Sequence, residues 1–270
     1  MSLTAKREAF RRLHEAGTFL IPNPWDVGSA RLLQGLGFKA LASTSGGMAW
    51  GMGKPDYGVT RDEVLAHLRL LSAATDLPLN ADFENGFADG ADGVAANVTL
   101  AVEAGVSGLS IEDSTGRKDS PLYDFDLAVA RIAAARAAID ATGSGVLLTA
   151  RCEAFLVGIK DLDEVIRRLK AYSDAGADVL YAPFLPDLDA TAAVIQAVAP
   201  KPVNVLLPGP GATVGNLAAL GARRISVGAA LARAAYGAFI EAAAGLNENG
   251  AFGAFAPIAP FTSLNEALKA

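Results

Sequence analysis

The sequence contains one cysteine, Cys152, two histidines and no long apolar run. A single cysteine excludes a disulfide within the chain and is typical of a reducing compartment. No segment approaches the roughly 18 consecutive apolar residues that span a bilayer, and the opening residues lack the apolar core of a secretory signal. We therefore expect a cytoplasmic protein that has no membrane partner.

Runs of basic residues are also missing, and the formal net charge of the 270 residues is −6. Both observations argue against nucleic acid or an anionic membrane surface as a partner. They do not exclude an anionic small substrate, because the local field in a binding site can oppose the net charge of the protein.

Two acidic stretches, Asp82-Phe83-Glu84 and Glu112-Asp113, each close an apolar run that predicts a buried strand. Residues two apart in a strand point the same way, so Asp82 and Glu84 would face together. Two unit charges about 4–5 Å apart repel by roughly 3–4 kcal/mol at an effective dielectric constant of 20. A hard divalent cation would offset that repulsion, which favours a Mg²⁺ or Mn²⁺ site. Helix caps and surface ion pairs are the alternative, and the absence of Cys or His beside these carboxylates argues against zinc.

Short β-like runs alternate with Ala/Leu-rich segments of helical periodicity, and several of the helical segments end at a glycine before the next run. The eight runs are 18–22, 39–43, 77–82, 107–111, 145–150, 177–181, 202–206 and 224–228. This alternation predicts parallel pairing and a closed (β/α)8 TIM-type barrel in a single domain, 1–270. A doubly wound open sheet is the competing fold, but no Gly-x-Gly-x-x-Gly follows the first run. From about residue 229 the chain forms an apolar arm, for which we expect burial against another subunit; packing within the chain is the alternative.

Barrel enzymes carry their chemistry where strands end, and polar residues gather at those ends here. The turn Ser45-Gly46-Gly47 lets backbone N–H groups approach an anion, although it is also a plausible tight turn. Arg151 offers a planar fork for a carboxylate or for a structural ion pair with Glu112 or Glu153. Asn204 would hydrogen-bond the substrate or serve a neighbouring loop, and Trp25 would line the pocket or simply pack.

At these positions the chain resembles the isocitrate lyase/phosphoenolpyruvate mutase superfamily. The matching segments run in family order over roughly residues 15–235; they are 22–26 with 29–30, 43–47, 55–58, 79–86, 111–113 and 150–151. The resemblance implies a Mg²⁺-dependent barrel whose last helix is swapped with a neighbouring subunit, usually in a homotetramer. It also implies a small 2-oxo acid substrate, because the family makes or breaks C–C or P–C bonds beside a 2-oxo acid carboxylate.

The resemblance also implies roles for individual residues. Asp82 would ligate the metal directly, while Glu84 and Glu112 would hold water molecules bound to it, as Mg²⁺ prefers. Direct ligation by Glu84 stays open, because family members commonly carry Asp there. The turn at Ser45–Gly47 would bind the substrate carboxylate and oxo oxygen. Asp56 would lie near the reacting bond as nucleophile, acid/base or water holder, and turn capping is its alternative role.

The segment after Glu112 departs from the family pattern. In isocitrate and methylisocitrate lyases this mobile loop carries a Cys and a His, whereas residues 113–123 here contain neither. This argues against isocitrate-type substrates and favours a divergent Mg²⁺-dependent lyase that cleaves or decarboxylates a small 2-oxo or 2-hydroxy dicarboxylic acid through a metal-stabilised enolate. Arg117 and Lys118 keep P–C chemistry on phosphonopyruvate open as an alternative. A catalytically silent 2-oxo-acid-binding protein is a further alternative.

Overall fold

The computed structural model describes residues 1–207, 211–255 and 258–269. Within them lie eight short strands; each falls inside a predicted run or extends one residue beyond it, and the runs begin or end up to two residues outside the strands. They are β1 Phe19–Ile21, β2 Leu41–Ala42, β3 Leu79–Asp82, β4 Gly108–Glu112, β5 Leu147–Arg151, β6 Val179–Tyr181, β7 Val203–Leu206 and β8 Arg224–Ser226.

The strands form one parallel sheet in the order β1-β8-β7-β6-β5-β4-β3-β2. The two end strands approach each other, since the Ala42 N–H donates to the Pro22 carbonyl at 3.0 Å. The sheet is therefore a nearly closed barrel, and the predicted (β/α)8 fold is confirmed.

Helices separate successive strands. They are α1 Leu3–Leu13, α2 Val27–Gly35, α3 Ser45–Gly51, α4 Arg61–Ala74, α5 Ala91–Glu103, α6 Phe125–Ala141, α7 Leu162–Asp174, α8 Leu188–Ala197, α9 Val214–Ala219, α10 Ala230–Asn249 and α11 Phe261–Ala267. Side-chain caps define several of their starts; Thr44, for example, accepts a hydrogen bond from the Gly47 N–H at 3.3 Å and fixes the first turn of α3. No described helix is both long and apolar enough to cross a membrane.

The first helix closes the amino-terminal end of the barrel. Phe10 is fully buried there with Ile21 and Leu147, and a Cβ at Gly108 would lie 2.6 Å from the Phe10 ring. Glycine is thus required where α1 meets β4. Because α1 occupies the amino-terminal end, the described part of the barrel opens toward the carboxyl ends of its strands.

The two faces of each strand differ in character. Outward residues such as Ala81, Ile111 and Leu148 are buried in the apolar layer under the helices. Several inward positions are polar, as with Asn80 in β3 and Thr149 in β5. Barrel interiors are usually filled by Val, Ile and Leu, so this polar interior is the feature of the fold that positions the site.

The last long helix, α10, has a largely exposed apolar surface within one copy of the chain. In α10, Phe239 is 68% and Ile240 is 62% exposed, whereas Ala232 near its start is buried. Such exposed apolar surface fits the predicted swap of this helix with a second copy, which stays a proposal, as does the single-domain assignment. Residues 256, 257 and 270 of the predicted apolar arm lie outside the described residues.

Candidate active site

A cavity of about 220 Å³ opens at the carboxyl ends of the strands and continues into the barrel. Six of the predicted site residues line it: Ser45, Gly46, Asp56, Asp82, Arg151 and Asn204. The fold therefore brings together six of the predicted residues, which come from five separate strands or loops.

Asp82, the last residue of β3, is held by three neighbours. Its Oδ2 accepts the Ser45 N–H at 3.0 Å, and its Oδ1 accepts from Arg151 Nη1 at 3.3 Å. Its own N–H donates to Ser43 Oγ at 2.8 Å. The carboxylate is consequently fixed at the cavity wall, with its orientation set by β2 and β5.

Glu84 lies just beyond β3 in a left-handed backbone conformation, with φ of 46°. Such a conformation is uncommon outside glycine and concentrates at functional sites. The side chain is only 5% exposed, and its Oε1 has no hydrogen-bond partner among the described residues. Burial, followed by the charges of Asp82 and Glu112, raises the pKa of Glu84 to about 8. A buried carboxylate oxygen without a partner is costly, and a bound cation would satisfy it.

Glu112 ends β4 beside Glu84 and is buried. The Glu112 N–H donates to the Glu84 carbonyl at 3.0 Å. Its Oε1 accepts the Tyr57 hydroxyl, and its Oε2 lies 3.3 Å from Arg151 Nη1. Burial raises the pKa of Glu112 above its ordinary range, although the Arg151 charge opposes that rise. The carboxyl group is therefore shared between a phenol and a guanidinium.

Arg151 links the acidic side chains of the site to one another. Its guanidinium forms ion pairs with Asp82 and Glu112, and its Nε donates to Glu153. Burial by itself would lower the pKa of Arg151, but the charges of Glu153 and Glu112 raise it well above the ordinary value. The ion-pair alternative considered for Arg151 is thus present, and the residue also lines the cavity.

At the mouth of the cavity, acidic side chains outnumber basic ones. Asp56, Asp82, Glu84, Glu112 and Glu153 all lie near Arg151, which is the only residue that forms an ion pair with any of them in the described part of the chain. Burying several ionised carboxylates around one guanidinium is unfavourable unless another cation is bound or some of them take up protons, as the raised pKa values of Glu84, Glu112 and Glu153 indicate. These residues therefore fit a hard divalent cation with oxygen ligands.

In the described ranges, no three His, Cys, Asp or Glu side chains converge closely enough to hold an ion by themselves. The predicted arrangement needs only one direct ligand, Asp82, with Glu84 and Glu112 acting through water. Their roles stay a proposal.

Asp56 reaches the cavity from the loop after α3. Burial, followed by the Asp82 charge, raises the pKa of Asp56, while a hydrogen bond from the Ser45 hydroxyl lowers it. Its Oδ2 would lie 3.3 Å from a Cβ at Gly46, so a larger residue there would press on the carboxyl group. The Gly46 N–H meets no acceptor among the described residues, and it remains available to a ligand.

The remaining predicted residues differ in position. A Cβ at Gly47 would lie 2.9 Å from Trp25 Cβ, so Trp25 packs behind the turn. Trp25 is not among the residues that line the cavity, whereas Trp50 is. Asn204 lines the cavity, but its Nδ2 donates to Ser226 Oγ at 3.0 Å and its Oδ1 accepts from Arg224 at 2.8 Å.

Sequence reasoning did not select several polar residues that line the same cavity: Asn80, Ser110, Tyr181, Arg224 and Ser226. Four of the five alternate with apolar residues inside β3, β4 and β8. That alternation was a usable signal, because strands of a parallel sheet normally read as continuous apolar runs.

A second cavity, of about 470 Å³, adjoins the first beyond Asp56 and Leu156. The segment that departs from the family pattern forms one of its walls through Ser114, Arg117 and Lys118. Arg117 lies 3.2 Å from Asp89. The mouth is therefore bordered by basic side chains outside the acidic group.

A model of the phosphoenolpyruvate phosphomutase family matches residues 10–247. The chain belongs to this family. The chain is 51% identical to a solved lyase/mutase candidate from Burkholderia cenocepacia J2315. The two structures superpose with a TM-score of 0.95 over 98% of this chain and 97% of that one.

Relatives of this phosphomutase-family chain include lyases. It is 34% identical over 198 residues to the 2-methylisocitrate lyase of Escherichia coli K12, covering 70% of this chain and 65% of that protein. It is 29% identical to oxaloacetate acetylhydrolase, solved in complex with the product oxalate, with a TM-score of 0.87 over 98% of this chain and 94% of that one. The predicted enzyme class, a carbon–carbon lyase of the isocitrate lyase/PEP mutase type, is confirmed by these relatives.

Proposed function

We propose that the protein is a Mg²⁺-dependent lyase that cleaves or decarboxylates a small 2-oxo or 2-hydroxy dicarboxylic acid. The observation that carries this proposal is the group of buried carboxylates around Arg151, with the unpartnered Glu84 oxygen among them. Relatives named for 2-methylisocitrate and for oxaloacetate support an organic acid as the substrate.

Asp82 would hold the metal directly, and Glu84 and Glu112 would hold its water ligands; Mn²⁺ would fit the same oxygen donors. When bound, the cation would supply positive charge that stabilises negative charge developing on an oxo oxygen. Tyr57 and Arg151 keep Glu112 in place through its two oxygens, so the donor set is organised before a metal arrives.

The first turn of α3 would bind the carboxylate and oxo group of the substrate. Ser45 and Gly46 line the cavity, and the Gly46 N–H donates to no acceptor in the described part of the chain. Arg151 on the opposite wall would orient the same end of the substrate. The two groups together would place the reacting carbon beside Asp56.

Asp56 would transfer the proton. Its raised pKa, caused by burial and the Asp82 charge, brings the carboxyl closer to the range in which a group both takes up and releases a proton near neutral pH. Asp56 is exposed and lines both cavities, which leaves it accessible from the mouth.

A substrate panel with and without metal tests this function. Oxaloacetate, phosphonopyruvate and methylisocitrate are incubated with the protein in Mg²⁺ and in EDTA; we expect turnover of a 2-oxo diacid in Mg²⁺ alone. Asp82→Asn should abolish it, while Asp174→Asn, at an exposed helical position, should not. Full turnover with undiminished Mg²⁺ affinity in Asp82→Asn would contradict the assignment.

P–C chemistry is the second candidate, and the basic wall formed by Arg117 and Lys118 favours it. Either side chain would reach a phosphonate that extends from the first cavity into the second. Incubation with phosphonopyruvate followed by ³¹P NMR would detect it, and an unchanged spectrum would exclude it.

A further inference from the structure

The floor of the first cavity contains a buried arginine. Arg224, the first residue of β8, is 3% exposed and lines the cavity. Its guanidinium crosses the barrel interior and donates to three side chains on other strands: Asn204 Oδ1 at 2.8 Å, Asn80 Oδ1 at 3.3 Å and Thr149 Oγ1 at 3.1 Å.

All three of these partners are neutral. No ion pair in the described residues includes Arg224, and three bonds use only three of its five N–H groups. Burial lowers the pKa of Arg224 to about 10, with the Tyr181 phenol opposing, so the residue stays charged at neutral pH. A buried cation without a counter-ion is unfavourable, and this one faces a cavity.

Arg151 differs in this respect. Three carboxylates already share its charge. The proposed function commits the remaining hydrogen-bonding capacity of this guanidinium to the first carboxylate of the substrate, so a second carboxylate needs another partner. At the floor, no acidic side chain of the described residues pairs with Arg224, so a substrate carboxylate would meet no competitor among them.

The distance between the two levels suits a short diacid. Asn80 and Asp82 lie two residues apart on the inward face of β3, which separates the Arg224 level from the acidic level by roughly 6–7 Å. An extended four-carbon diacid spans about 6 Å between its outer oxygens, from C–C bonds near 1.5 Å. The cavity is continuous between these levels, since Asp82, Ser110 and Arg224 all line it.

We propose that Arg224 is a specificity-determining residue that binds the second carboxylate of a four-carbon dicarboxylic substrate inside the barrel. The proposal rests on the proposed function, because that function places the first carboxylate and the oxo group at the mouth. Ser110 and Ser226 line the same cavity and would complete the site.

The first test compares a monoacid with a diacid of equal chain length. Binding of 2-oxobutyrate and of 3,3-difluorooxaloacetate is measured by calorimetry with Mg²⁺ for the wild type, Arg224→Met and Arg223→Met. Arg223 is the matched control, because it is partly exposed and donates to the Gly17 carbonyl at the barrel's outer edge. We expect Arg224→Met to weaken the diacid at least ten-fold and the monoacid less than three-fold, with Arg223→Met changing neither. Equal effects on both ligands would overturn the proposal.

The second test needs only the wild type and therefore does not depend on the folding of a variant. Each 2-oxo diacid of four, five and six carbons is compared with the monoacid of the same length. The second carboxylate should improve affinity at least ten-fold at four carbons and hardly at all at six; no gain at four carbons would overturn the proposal. Failure of the proposed function has a different signature, namely 2-oxobutyrate binding that EDTA leaves unchanged.

Discussion

Replacing Glu84 by Gln should stabilise the metal-free protein, and the gain should grow with pH. The carboxyl is buried, its Oε1 has no partner within the described ranges of the chain, and its pKa rises from 4.5 to about 8 on folding. Between these values the folded state binds more protons than the unfolded state, so stability falls as pH rises. At 1.36 kcal/mol per pKa unit, the carboxyl costs the folded state about 1 kcal/mol at pH 5 and about 4 kcal/mol at pH 8.

Only the carboxyl has a burial cost that depends on pH, and this distinguishes Glu84 from the amide that replaces it. Burying an amide also costs free energy, but that cost does not vary over this range. Urea unfolding in EDTA at pH 5 and pH 8 should therefore show the stability difference between Glu84→Gln and wild type changing by about 3 kcal/mol. Glu15→Gln, an exposed position, should change stability by less than about 0.5 kcal/mol at both values.

Mg²⁺ should reverse the ranking, because wild type gains stability from binding the ion and the variant loses part of that gain. Metal binding by the wild type should also release protons, since a protonated carboxyl must ionise to act. Parallel stability curves for the variant and the wild type between pH 5 and pH 8 would refute the reasoning.

Three further predictions concern other parts of the molecule. Arg151→Lys should raise KM about ten-fold, since a point charge replaces a fork whose hydrogen bonds are worth roughly 1.5–3 kcal/mol; an unchanged KM would argue against contact with a carboxylate. Burial lowers the pKa of His14 to about 3, so as the pH falls the unfolded state takes up this proton before the folded state does. The free energy of unfolding of the wild type should therefore fall by about 2 kcal/mol between pH 7 and pH 5 relative to that of His14→Leu. Equal losses of stability in acid titrations of both proteins would contradict this. By light scattering we expect a homotetramer that Phe239→Glu with Ile240→Glu converts to smaller species; a monomeric wild type would remove the helix-swap proposal.

Local sequence signals were sufficient to predict the strands and the acidic rim. Glycines such as Gly105 and Gly176 have positive φ where a helix gives way to a strand, and only glycine adopts that conformation without strain. The rule that alternate residues share a face placed Asp82 at the cavity. These are local properties of the chain, so one sequence reveals them.

Longer-range features could not be read in the same way. The sharing of Arg151 by three carboxylates depends on how β3, β4 and β5 align, and pairing register is a tertiary property. Trp25 and Trp50 both pack near the turn Ser45–Gly47 in the folded chain, and only that packing decides which one faces the cavity. Glu84 was expected to share a face with Asp82, but its left-handed backbone ends the strand geometry on which that rule depends.

The two faces of the strands have different roles in this barrel. Since the outward apolar side chains hold the helices and the inward polar ones form the cavity, alternate positions of β3, β4 and β5 are under separate constraints. An engineer could rewrite the reaction by exchanging every second residue of a strand while the layer that keeps the molecule folded stays untouched. Natural divergence has the same route open to it, which makes one scaffold a ready source of related activities.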